Sequence, residues 1–210
     1  MVGQPLPPRA PAPLTAAAGL RGACIDPIVK PTRAIQMANA VVFQLAWFAA
    51  VLGGANHMPL AGTFVVLAAI GWHVGVSARP QREALLITLV ILIGIAVETV
   101  SVGSGLVVYP SGQPDPRLPP YWLVSLWGLL GIALNVTLRW LRQRPWLSAV
   151  LGAVAGPLSF IGGVRLGGAQ FTDPAPAVLL MAATWALLLP AMIRLSIQFD
   201  GVTVPETTHA

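Results

Sequence analysis

The sequence predicts an all-α, polytopic membrane protein of six transmembrane helices with both termini in the cytoplasm. Three observations carry that prediction. Apolar residues make up 56% of the 210-residue chain and charged residues only 9%, against the roughly one quarter charged that a soluble domain carries. Six apolar segments, most of them within the roughly 17–25 residues that a membrane-crossing helix needs, follow one another with short connections. The basic residues between them alternate strongly from side to side.

The chain opens with residues 1–34, which hold five prolines before Leu14 and then an Ala-rich patch. Such a segment buries too little apolar surface to offset its ordering entropy and is read as a disordered cytoplasmic tail. Leu14 to Leu20 is too short for a signal-peptide core. Cys24 follows Arg21-Gly22-Ala23, a charged approach unsuited to a lipoprotein acceptor, and reads as a tail thiol. The folded region is expected to begin near Ile35, and Met37 is a possible start of translation.

The membrane domain, residues 35–199, contains the six segments: Ile35–Ala55, Leu60–Ser77, Ala84–Val108, Tyr121–Leu141, Trp146–Val164 and Pro176–Phe199. Helices are expected in each, because backbone groups in lipid must be satisfied internally and closed barrels use shorter, alternating strands. Residues 200–210 read as a second cytoplasmic tail. The outer connection Tyr109–Pro120 has five prolines in twelve residues and reads as a stiff turn. No connection reaches domain size, so any activity is expected within the bundle or at its rim.

Orientation follows from the connections. Arg9, Arg21, Lys30, Arg33, Arg79, Arg82, Arg139, Arg142, Arg144 and Arg194 fall on one side, and Arg117 and Arg165 on the other. Ten basic residues against two place the first set, with both termini, in the cytoplasm by the positive-inside rule. Tyr109, Tyr121 and Trp122 then fall at the outer interface, with Trp140 and Trp146 at the inner one, as aromatic belts require.

Polar residues within the segments are the candidate functional groups. Glu98 lies about 21 Å along the third segment from Ala84 and is its only charge. An ionisable group there is costly and needs a partner. Arg165, at the outer end of the fifth segment, is the only basic residue expected near that depth. A Glu98–Arg165 pair is therefore expected, serving either as a structural salt bridge or in handling substrate or protons. Ser101 shares the face of Glu98 at i,i+3. Toward the inner side, Asn39, Gln44 and Asn135 are candidate substrate contacts, or else hydrogen-bond across to neighbouring helices at about 0.6 kcal/mol per pair. His73 is the second catalytic candidate beside Glu98, with a packed interfacial histidine as the alternative.

The fifth segment has an unusual backbone. Gly152 and Gly156 form a small-xxx-small pair suited to close helix contact. Pro157 removes one ladder donor, so a bend or interruption is expected at Gly156-Pro157. In transporters such breaks mark binding sites, and a tightly packed kinked helix is the alternative.

The sequence contains no G-x-S-x-G, H-E-x-x-H, P-loop or Cys/His metal spacing, so neither a cofactor nor a metal site is expected. Twelve scattered basic residues make no nucleic-acid patch.

Several motifs together resemble a family. They are Asn39-x-x-x-Phe43-Gln44-x-x-Trp47-Phe48, Ala78-Arg79-Pro80, the Trp122 and Trp127 pair, and Gly152-Ala153-x-x-Gly156-Pro157-Leu158-Ser159 running into Gly163-x-Arg165-Leu166-Gly167. As a set they are similar to a group of short bacterial inner-membrane proteins catalogued as a domain of unknown function, over about Gln36 to Phe199. The resemblance implies a place in the bacterial inner membrane and a role linked to fatty-acyl modification of membrane lipids, and it includes Gln44, Trp47, Pro157 and Arg165. Three functions remain in view: an enzyme or accessory subunit acting on membrane lipid or acyl groups, a small-solute or proton-coupled transporter, and an assembly subunit that docks another membrane protein.

Overall fold

The computed structural model describes residues 31–203. Among these it has six α-helices: α1 (Arg33–Ala55), α2 (Pro59–Val76), α3 (Pro80–Gly103), α4 (Tyr121–Leu134), α5 (Pro145–Arg165) and α6 (Pro174–Gln198). A 3-10 turn, Arg139–Gln143, joins α4 to α5, and a two-stranded antiparallel ribbon pairs β1 (Val107–Val108) with β2 (Gln170–Phe171). Residues 1–30 of the predicted N-terminal tail, including Cys24, lie outside the described residues, and its last two, Arg33 and Ala34, already belong to α1.

Proline sets several starts. Pro59, Pro80, Pro145 and Pro174 each open a helix, where the missing N–H would have no intrahelical partner anyway. Thr32 caps α1 by accepting from the Ile35 N–H.

Five helices are long and apolar enough to cross a membrane: α1, α2, α3, α5 and α6. This makes the chain an integral membrane protein by every test that helix length and apolarity provide. The sixth predicted crossing differs. α4 stops at Leu134, with 14 residues and about 21 Å of length, well short of Leu141. It is also the most enclosed element: ten of its residues are buried, including Trp122, Trp127 and Leu129. A helix sheathed by protein need not match the bilayer thickness, and its irregular continuation finds protein partners instead of lipid. Asn135 ends the helix because its side chain is drawn into hydrogen bonds described below.

The third predicted segment is corrected as well. α3 starts four residues earlier, at Pro80, and ends at Gly103. Gly105 then adopts a left-handed φ of +68°, and Val107–Val108 leave the helix to pair with Gln170–Phe171.

α1, α2, α3 and α4 form one body. α5 and α6 form a tightly packed hairpin that meets it through the 3-10 turn, the ribbon and a few contacts of α6 with α3 and α4. Gly152 and Gly156 seat this hairpin, because a Cβ at either position would fall 2.1 Å from the Trp185 carbonyl oxygen or 2.3 Å from the Trp185 ring. The expected interruption at Gly156-Pro157 is absent, and α5 runs unbroken through Pro157. Both residues are buried, and Gly156 lies against Trp185 of α6.

The two ends of the bundle differ in chemistry. One end gathers the start of α1, the α2–α3 turn, the 3-10 turn and the end of α6, with Arg79, Arg139 and Arg142 (the basic end). The other gathers the ribbon, the loop Pro110–Pro120 and the end of α1 (the ribbon end).

Candidate functional site

At the basic end a buried polar cluster closes the bundle. Glu83, wholly buried on the first turn of α3, sits 2.9 Å from His73 Nε2 across the α2–α3 turn. Its other oxygen accepts from Asn135 Nδ2 and from the Gly201 N–H. Arg142 donates to Asn135 Oδ1 and to Asp200, and Arg139 also donates to Asp200. Arg79 donates to the backbone oxygens of Asp200 and Thr203.

The predicted C-terminal tail thus begins with a docked strap, Asp200–Thr203, with Val202 fully buried. Burial raises the Asp200 carboxyl, but hydrogen bonds from Arg142 and Thr203 outweigh it and hold the group well below the usual carboxylate range. Gly201 is required here, since a Cβ would fall 2.6 Å from both the Arg79 carbonyl oxygen and Glu83 Cγ. His73 and Asn135 therefore belong to a lock that ties α2, α3, the end of α4, the 3-10 turn and the C-terminal strap together. Asn39 does similar work nearby, donating to the Ile132 carbonyl and accepting from Thr137.

The second polar place is the candidate site. A cavity of about 590 Å³ lies between α1 and α4 on one side and α5 and α6 on the other. Its wall is apolar: Phe43, Trp47, Trp122, Trp127, Leu151 and Trp185 supply much of it. Two indoles set its shape. Trp127 of α4 lies against Gly94 of α3, where a Cβ would fall 2.2 Å from its ring, and stacks on Trp185 at 5.2 Å and 16°. Trp185 in turn lies against Gly156.

Glu98, one helical turn beyond Gly94, borders this cavity and is 2% exposed. Trp127 Nε1 donates to its Oε1 across 3.2 Å, and its Oε2 has no hydrogen-bond partner among the described residues. Tyr109, just after β1, borders the same cavity, and its buried hydroxyl also has no partner among the described residues. Burial pushes the Tyr109 phenol well above its ordinary range, so it remains a donor.

The expected Glu98–Arg165 pair is not formed. Arg165 is exposed at the end of α5, and the carboxyl of Glu98 is held by an indole instead. The donor is an aromatic residue of α4, and it satisfies one oxygen without a second charge. Gln44 and Trp47 do border the cavity, as does Ser159, whereas Asn39, His73 and Asn135 do not.

Gln44, Ala155, Leu158 and Ser159 are both exposed and part of the cavity wall. They mark its mouth between α1 and α5, partway along two apolar helices. A smaller cavity of about 310 Å³ lies on the other side of Glu98, between α3 and the α5–α6 hairpin, and shares Glu98, Phe160 and Trp185 with the first. Among the described residues no group of three or more His, Cys, Asp or Glu side chains is placed to hold a metal ion.

No curated protein and no solved structure matches this chain. A family described as a protein of unknown function (DUF2878) matches residues 36–191, which include both the mouth and the wall of the cavity, and the chain belongs to that family.

Proposed function

We propose that this protein holds the hydrocarbon chain of a membrane lipid or fatty-acyl compound in the cavity between α1 and α5, as an enzyme or an accessory subunit of lipid metabolism. The observation that carries the reading is the placement of the mouth. Gln44 and Ser159 stand mid-helix on faces otherwise covered by exposed apolar side chains such as Leu45, Phe48 and Leu158, so the cavity opens sideways toward lipid. Its volume of about 590 Å³ falls within the roughly 300–1,000 Å³ of small-molecule sites, and its wall suits an aliphatic chain.

In this reading the basic end faces the cytoplasm and the ribbon end lies outside, in a bacterial inner membrane, with α4 as an enclosed sixth crossing. The ten-to-two division of basic residues supports that orientation. The experiment compares lipids carried through purification by the wild-type chain and by Ser159→Trp, which plugs the mouth from an exposed position. The reading expects one enriched chain-bearing compound that Ser159→Trp loses. Equal lipid content in both proteins, with no enrichment over the surrounding membrane, would overturn it.

A second reading, a solute or proton path, draws on the smaller cavity, because Glu98 stands between the two. Changed solute tolerance in a deletion strain with unchanged lipids would favour it.

A further inference from the structure

The gap between α1 and α5 is closed on the ribbon side of its mouth and open on the basic side. On the ribbon side, Cβ atoms at Gly162, Gly167 and Gly168 would lie 3.5 Å from Trp47, 3.5 Å from Ala55 and 3.0 Å from Val51. The end of α5 and the residues just after it therefore seal against α1. On the basic side the cavity itself separates the two helices, with Leu138, Leu141 and Leu151 in its wall. The segment that carries Leu138 and Leu141 bridges the foot of this gap: Thr137 donates to the Gln36 carbonyl of α1, and Arg144 stands at the N-cap of α5. Trp140 and Trp146, both exposed, flank that foot and set it at headgroup depth. The mouth residues Gln44 and Ala155 lie eleven residues beyond Arg33 and Arg144, about 16 Å along each helix and near half the hydrocarbon thickness.

We propose that the chain held in the cavity belongs to an anionic phospholipid of the basic-end leaflet, whose head is held at the foot of the gap by Arg33 and Arg144. The inference rests on the chain-binding reading of the cavity and adds the side of entry and the charge of the head.

Charge separates the two ends. The basic end exposes Arg33, Arg82, Arg144 and Arg194. Its two acids among the described residues are already engaged, Glu83 in the lock and Asp200 by Arg139 and Arg142. The ribbon end exposes Asp115 and Asp173 beside Arg117 and Arg165, so it offers an anion no net attraction. Of the four exposed arginines at the basic end, Arg33 and Arg144 stand on the two helices that frame the gap. Arg33, Met37, Ala40 and Gln44 share one face of α1 by their spacing and are all exposed, which leads from the arginine to the mouth. A cationic head would be repelled there. A zwitterionic head brings a cation of its own to the same phosphate, which weakens the pull of the arginines. A phosphate offers several acceptor oxygens to guanidinium groups from two helices. The exposed Leu45, Phe48 and Leu158 beside the mouth give an apolar surface to a second chain, which a phospholipid has and a fatty acid lacks.

The test places the full chain in phosphatidylcholine nanodiscs with a trace of one probe that bears a diazirine at a chain end. The probes are a phosphatidylglycerol, a phosphatidylcholine and the matching free fatty acid, the last under alkaline conditions that ionise it. Photolabelling is read as the ratio of wall residues (Phe43, Trp47, Leu151 and Trp185) to outer residues (Leu179 and Leu187), which removes the contribution of lipid passing over the surface. The ratio for phosphatidylglycerol should exceed that for phosphatidylcholine at least about tenfold, since each basic residue near an anionic head strengthens binding roughly fivefold. Arg33→Gln combined with Arg144→Gln should remove that preference and leave phosphatidylcholine labelling as it was. Arg82→Gln combined with Arg194→Gln removes as much charge from the same end, on α3 and α6, and should leave the preference intact. Equal loss in the two double variants, or a preference that survives the first, overturns the placing of the head on Arg33 and Arg144. Equal ratios for the two phospholipids, or a higher ratio for the fatty acid than for phosphatidylglycerol, overturns the anionic phospholipid and leaves the chain-binding reading standing. Wall labelling by none of the three overturns both.

Discussion

The indole N–H of Trp127 reaches Glu98 Oε1 at 3.2 Å because Gly94, one turn earlier on α3, lets the ring lie against the helix. The glycine, the carboxylate and the indole form one unit, and the cavity wall depends on it.

Substituting that glycine should be costly. In Gly94→Ala the added methyl would fall 2.2 Å from Trp127, so the ring must move and lose its bond to Glu98. A loss of about 1–3 kcal/mol is expected, read as lowered thermal stability in detergent and shifted tryptophan emission. Gly71→Ala on α2 meets nothing within 4 Å and should gain about 0.5–1 kcal/mol. Equal effects at the two positions would contradict the packing described for Trp127.

Glu83 should matter for stability more than any other charged residue at the basic end. Glu83→Ala strands His73, Asn135 and the Gly201 N–H together, with an expected cost of roughly 3–5 kcal/mol. Protease cleavage after Arg194 or within the strap should accelerate in the variant. An unchanged digestion pattern would show that the lock does not depend on Glu83.

Acid should loosen the strap. The Asp200 carboxyl is held below its ordinary value of 3.8, so its contribution is present above that pH and is lost as the pH falls through and below it. Hydrogen-exchange protection in residues 200–203, measured against the intrinsic amide rate at each pH, should stay flat from about pH 5 to 8 and fall below about pH 4. Asp200→Asn should exchange faster at neutral pH and lose that acid dependence. A wild-type midpoint near neutrality would contradict the assignment.

Reporter fusions address orientation. Fusions at Gln113 should read periplasmic, and fusions at Gln143 and after Phe199 cytoplasmic, as the distribution of basic residues expects. A cytoplasmic signal at Gln113 would reverse or remove a crossing.

Helices α1, α2, α5 and α6 were legible because lipid demands long, internally bonded apolar runs, and their observed starts lie within about two residues of the predicted ones. α4 was misjudged at its end because its apolar residues face protein, a surface that resembles lipid in composition but sets no length. Glu83 escaped notice because it stands one residue before the predicted third segment; its ten-residue distance from His73 across the Arg79-Pro80 turn was the available signal. Glu98 stood out by its cost in lipid, but its partner did not. Depth along a helix gives no rotation about its axis, so charge and depth pointed to Arg165 and said nothing of the Trp127 indole. Gly94, four residues before Glu98, was the visible sign that something large lies against that face.

The chain-binding claim is tested most directly by mapping where a lipid chain touches the protein in its membrane. Diazirine-bearing fatty acids, fed to cells and incorporated into lipids, are photoactivated in intact membranes, and the labelled residues are read by peptide mass spectrometry. Labelling is predicted to concentrate on the half-buried cavity wall, at Phe43, Trp47, Leu151 and Trp185, and to be reduced there by Ser159→Trp, with even labelling of outer residues such as Leu45, Leu179 and Leu187 in both proteins. Labelling confined to those outer residues, with the wall untouched in the wild type, would contradict it.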